Sequence, residues 1–150
     1  MRLCENKVFQ CTAGELWTII RDPGNMPAWN PKCISADSPP RLEVGSEFRA
    51  IFQMSGPTIV TMGQIIEFVP NSRLLIRYSF ADKRGKTRTA DESFDLVQGQ
   101  KNCRLTHSLD LSASGLPFWA RMLGSFISLF GYRAGDSPLD GIEDILGPGV

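Results

Sequence analysis

Four polar residues stand out because strand alternation sets them in apolar company: Gln64, Tyr78, Glu92 and His107. Over 103–113, Cys103, Leu105, His107, Leu109 and Leu111 share one face, while Arg104, Thr106, Ser108, Asp110 and Ser112 share the other. The first set must look at the core. On the strand before it, Phe94 and Leu96 carry Ala90, Glu92 and Arg88 inward with them. A four-residue turn at 98–101 then sets Glu92 opposite His107, Phe94 opposite Leu105 and Ala90 opposite Leu109. A buried carboxylate is costly without a partner, and the facing imidazole is the natural one. Such a pair can shuttle protons as general acid and base, with Tyr78 or Gln64 polarising a carbonyl. The bland counterparts are a satisfied core histidine and a Glu92 at the mouth of the sheet, solvated or paired with Arg88.

The alternation carries back through the chain. Ile76 and Tyr78 join the inner face, then Met62, Gln64, Ile66 and Phe68, then Phe48, Phe52 and Met54. The wall is therefore Phe, Met, Leu and Ile with a few polar points set into it, as small-molecule sites are built. Turns at 55–57, 70–73, 83–85 and 99–102, with no helix between them, predict an antiparallel meander. Before it, Lys7 to Cys11 reads as a strand. Thr12 with Glu15 is a capping box opening a helix with Leu16, Trp17, Ile19 and Ile20 on one face. Arg21-Asp22-Pro23-Gly24-Asn25 stops that helix, and Met26-Pro27-Ala28-Trp29 forms a second, very short one.

After the meander, 116–133 reads as a long helix with Pro117 in its first turn. Phe118, Trp119, Met122, Leu123, Phe126, Ile127, Leu129 and Phe130 give it an apolar arc wider than an ordinary surface helix shows. It must be covered on most sides or must line something apolar. A last short helix follows, with Ser137 as its cap, Pro138 in its first position and Asp140 at its positive end. Residues 147–150 read as a frayed tail. The fold class is α+β: a curved antiparallel sheet of about seven strands wrapped around a long C-terminal helix, with two short helices after the first strand. Residues 1–150 form one domain.

Composition excludes several functions. Sixteen basic and sixteen acidic residues cancel, which argues against nucleic acid as a partner. The basic run at 83–88 is a solvated hairpin tip. The four cysteines lack C-x-x-C spacing and the chain has one His, so no metal site is expected. The start has no apolar core of a signal peptide, which places reduced thiols in a cytoplasm. No run reaches the roughly 20 apolar residues of a spanning helix. Nucleophile-elbow, phosphate-loop and metalloprotease motifs do not occur, and no cofactor is expected.

Several runs resemble the START-like, polyketide cyclase/dehydrase (SRPBCC) superfamily. They are Thr12-Ala13-Gly14-Glu15-Leu16-Trp17; Arg21 through Pro31; Val44-Gly45-Ser46-Glu47-Phe48; and Glu67-Phe68-Val69-Pro70-Asn71-Ser72-Arg73-Leu74. The likeness spans nearly the whole chain and its motifs are turns, caps and the Trp29 plug. It implies a helix-grip fold with a pocket between sheet and long helix for a lipid, isoprenoid, polyketide or other hydrophobic molecule. The expected lining is Phe48, Phe52, Met62, Gln64, Tyr78, Glu92, Leu105, His107, Leu109, Phe118, Met122 and Phe126. Binding without catalysis is the first reading. A cyclase, aromatase or dehydratase-type enzyme using Glu92 and His107 is the second. A protein-interaction module presenting an apolar mouth around Leu116, Phe118 and Trp119 is the third.

Overall fold

A computed structural model of the chain describes residues 2–53, 58–115 and 137–147. Seven strands form one curled antiparallel sheet, a half-barrel. They are β1 (Arg2–Phe9), β2 (Cys33–Ala36), β3 (Glu47–Gln53), β4 (Thr58–Val69), β5 (Arg73–Ala81), β6 (Thr87–Gln98) and β7 (Cys103–Asp110). Their order is β1-β7-β6-β5-β4-β3-β2, so β3 to β7 form the expected meander and the first strand closes onto the last. Helix α1 (Ala13–Ile20), a 3-10 turn (Pro23–Asn25) and α2 (Met26–Trp29) follow β1, and α3 (Pro138–Leu146) ends the described chain. Three short helices are thus described; the long helix expected over 116–133 lies outside the described residues.

The local signals act as elementary chemistry requires. Thr12 Oγ1 accepts the N–H of Glu15 at 3.1 Å and opens α1. Ser137 Oγ accepts the N–H of Asp140 at 3.1 Å and opens α3. Leu16, Trp17 and Ile20 turn inward from α1, and Leu139 and Ile142 from α3. Gly141 is where α3 crosses α2: a Cβ there would collide with the Trp29 carbonyl. Only a glycine allows that approach.

Register departs from expectation in two places. Between β6 and β7, Gln98 pairs with Cys103, so the loop is 99–102 and Phe94, not Glu92, stands opposite His107. Glu92 pairs with Leu109. The slide is two residues, which preserves the faces. In β4 the change is of one residue. A bulge between Ile65 and Glu67 gives β4 an extra residue against β5 and reverses its inward parity. Thr61, Gly63 and Ile65 are therefore buried, while Met62 and Gln64 look outward. Ile66 is half-buried and not part of the inner wall as expected. Phe68, beyond the bulge, still packs inward, edge-on to Trp17 at 5.0 Å between ring centroids.

Strand β1 also begins earlier than Lys7, at Arg2, and this brings Leu3 and Glu5 onto the inner face. The inner wall divides into two apolar clusters. The larger gathers Leu16, Trp17, Met26, Trp29, Leu139 and Ile142 of the helices against Phe48, Ile76, Phe94 and Leu105. The smaller holds Leu3, Ala90, Leu109 and Leu111, with Phe80 against it.

Candidate functional site

A polar line runs across the inner face between these clusters. On β1, Glu5 lies between Leu3 and Phe9; on β7, His107 lies between Leu109 and Leu105; on β6, Glu92 lies between Ala90 and Phe94. Tyr78 on β5 continues it, between Phe80 and Ile76. Strand pairing puts Glu5 directly opposite His107. Glu92 reaches His107 on the diagonal, and Glu92 Oε2 lies 2.7 Å from His107 Nε2. The Tyr78 hydroxyl donates to Glu92 Oε1 at 2.9 Å. Glu5 Oε1 is 3.4 Å from His107 Nδ1.

His107, Glu92 and Tyr78 are buried, while the Glu5 side chain keeps 23% of its surface in solvent. Burial by itself lowers the pKa of His107. Hydrogen bonding to Glu5 and Glu92, with their charges, outweighs it and raises the pKa to about 9. The ring is therefore an imidazolium at neutral pH, with both nitrogens donating. Phe94 stacks on it at 4.8 Å and 21° between planes. Burial first, then the charge of Glu92, holds the Tyr78 phenol well above its ordinary pKa, so it stays a neutral donor. Its ring is packed edge-on by Phe48 at 6.1 Å and Phe52 at 5.4 Å. Cys33 stands near the same carboxylate, and burial and Glu92 push its thiol up to about 12.

The structure thus brings together Tyr78, Glu92 and His107, adds Phe48, Phe52 and Leu105 around them, and sets Leu109 in the smaller cluster. Met62 and Gln64 are corrected: the β4 bulge puts both on the outer face, so Gln64 does not share the inner wall with Tyr78. Arg88 is corrected too, as a partner of Glu92. Its Nε donates to Asp82 Oδ2 at 3.0 Å, and Glu92 lies buried rather than solvated at the mouth. Phe118, Met122 and Phe126, with Leu116 and Trp119, lie outside the described residues. A strand read from Lys7 begins too late to include Glu5, although the alternation Leu3, Glu5, Lys7, Phe9 carries the signal. Lys7, next along that face, pairs with Asp140 at 2.9 Å and Glu143 at 3.1 Å, tying α3 to the edge strand.

Chemically, both Glu92 oxygens accept, both imidazole nitrogens face carboxylates, and the Tyr78 O–H is already donated. What Tyr78 has left to offer is a lone pair, so a carbonyl would gain little from it unless the network rearranged. Among the described residues, no group of His, Cys, Asp and Glu side chains is placed to hold a metal ion. All four cysteines are unpaired with one another. No helix among the described residues is long and apolar enough to cross a membrane.

No family model and no curated protein matches the chain. Solved structures do. Protein CV1439 from Chromobacterium violaceum is similar at 16% identity and a TM-score of 0.66, over 98% of this chain and 97% of that one. Protein Ms6760 from Mycobacterium smegmatis is similar at 15% identity and a TM-score of 0.68, over 97% and 90%. DynU16, from the dynemicin biosynthetic locus, is similar at 18% identity and a TM-score of 0.56, over 79% of this chain and 39% of that one. These likenesses establish the fold alone, a curled antiparallel half-barrel sheet with short helices.

Proposed function

We propose that the concave face of the sheet binds one small hydrophobic molecule, a lipid, isoprenoid, polyketide or similar compound, without catalysis. The observation that carries this reading is the polar line Glu5-His107-Glu92-Tyr78 set between two apolar clusters. Stability alone does not call for it, since a buried ion pair is often no better than well-packed apolar side chains of the same volume. An apolar wall with a few fixed polar groups is instead the way a pocket orients a mostly greasy ligand. DynU16, similar in fold, comes from a biosynthetic locus, which fits a ligand of that chemistry. The reading takes residues 1–150 as one START-like domain with its unpaired thiols in a cytoplasm.

A cyclase, aromatase or dehydratase-type reaction is the second reading, and the 2.7 Å contact between Glu92 and His107 is what favours it. Against it stands the engagement of both imidazole nitrogens by carboxylates. His107→Gln separates the two. Binding alone predicts that an equilibrium titration with a ligand from a lipid and polyketide panel gives a Kd changed by less than about threefold. Acid–base catalysis predicts that single-turnover conversion of that ligand falls by roughly 10²–10⁴-fold while Kd stays put.

A further inference from the structure

Glu5 is the one member of the polar line that reaches solvent, and it is held there by register. As the cross-strand partner of His107 it cannot slide away without breaking the pairing of β1 with β7 along its whole length, from Arg2 opposite Asp110 to Phe9 opposite Cys103. We propose that Glu5 is a positioning residue for the buried site: from the edge strand it keeps the imidazole of His107 doubly protonated, so that Glu92 faces a cation instead of a neutral ring. The inference deepens the binding reading and rests on it, because the charge fixed by Glu5 is the charge that an occupant of the concave face would meet.

The charge of the ring turns on its tautomers. His107 Nε2 at 2.7 Å from Glu92 keeps its proton whether the ring is charged or neutral, since a neutral ring would choose the Nε2–H form to satisfy Glu92. The proton in play is therefore the one on Nδ1, and Glu5 Oε1 at 3.4 Å is the acceptor facing it. Phe94, stacked on the ring at 4.8 Å, keeps Nδ1 from turning elsewhere. Lys7 on β1 is turned to Asp140 and Glu143 of α3. Glu92 of β6 and Tyr78 of β5 lie on the Nε2 side, and Cys33 of β2 lies near Glu92 with a thiol kept neutral by burial. Glu5 thus decides the charge of His107 without deciding its bond to Glu92. A purely structural carboxylate would not behave so.

His107 is the only histidine in the chain, so imidazole NMR reads it without assignment. In the ligand-free wild-type protein at neutral pH, both ring nitrogens are expected to be protonated, with a titration midpoint near 9. Glu5→Gln is expected to lower that midpoint to neutral pH or below, a drop of roughly two units and within the usual effect of losing an opposite charge at this range, while Nε2 stays protonated. Glu5→Asp, which keeps the charge, is expected to restore most of the shift. A Glu5→Gln midpoint that stayed above neutral pH would overturn the proposal, whatever happened to stability. So would a wild-type ring protonated on Nε2 alone at neutral pH, a result that needs no variant. Neither measurement uses a ligand, so failure to find an occupant leaves this test standing, and failure of this test leaves binding to be judged on its own.

Discussion

His107→Leu is expected to destabilise the protein by roughly 3–5 kcal/mol, the usual cost of removing one member of a buried charged pair. The variant leaves Glu92, buried and 2.7 Å from the lost nitrogen, with only the Tyr78 hydroxyl for a partner in the polar line. The lost stacking on Phe94 adds little, because leucine fills much of the same space. Urea denaturation at pH 7 measures the change, provided the slope stays constant so that the midpoint reports stability. The double variant Glu92→Leu with His107→Leu is expected to recover most of the loss, since it removes the stranded carboxylate as well. Glu5 needs no replacement; its partly exposed carboxylate turns to water. A single-variant loss below about 1 kcal/mol would mean that Glu92 is not paired as described.

Stability is also expected to fall as pH rises from 6.5 to 9. The His107 pKa goes from 6.5 unfolded to about 9 folded. The folded state therefore holds its proton more tightly, and that stabilisation is complete below the unfolded value and vanishes through the folded one. A shift of this size corresponds to an upper limit of roughly 3 kcal/mol. Burial raises the thiol pKa of Cys11 to about 11, of Cys33 to about 12 and of Cys103 above its ordinary value, which destabilises in the same sense once unfolded thiols begin to ionise, from about pH 8 upward. Denaturation midpoints between pH 6.5 and about 8 isolate the imidazole, and His107→Leu should flatten the slope over that window. A wild-type profile already flat there would contradict an imidazolium in the buried site.

The two effects share a root that was partly legible in the sequence. The inner set Cys103, Leu105, His107, Leu109 and Leu111 follows from period 2 alone, and burial of one face enforces it. Glu92 and Tyr78 follow for the same reason, and the two-residue slide in register between β6 and β7 leaves them facing inward because it preserves parity. A one-residue event is different. The bulge after Ile65 reversed the inward parity of β4 and sent Met62 and Gln64 outward, and the run Gly63-Gln64-Ile65-Ile66 carries no sign of it beyond the glycine. That glycine is where the Phe48 ring lies, a close approach visible only once β3 and β4 are paired. Glu5 was hidden by an early polar stretch, in which Cys4, Glu5, Asn6 and Lys7 mask the apolar ends Leu3 and Phe9. Caps were the most legible features. Thr12 and Ser137 each act through one local hydrogen bond that needs no tertiary context.

The two faces of the sheet carry their charges differently. The outer face carries ion pairs between neighbouring strands, Arg73 with Asp95 at 2.6 Å and Arg77 with Asp91 at 2.9 Å, where partial exposure makes each worth little. Among the described residues, the inner-face charges between the two apolar clusters lie in one connected line, where burial makes them expensive and each accepts or donates to the next. That asymmetry is the physical basis for placing a ligand on the concave side.

Native mass spectrometry of freshly purified protein, repeated after organic extraction with identification of whatever is released, tests that placement most directly. Binding predicts a hydrophobic molecule at one copy per chain, or its stoichiometric uptake from a mixed lipid and polyketide panel by the extracted protein. A clean mass before extraction, with no uptake of any panel member afterwards, would contradict the account and favour a surface for another protein instead.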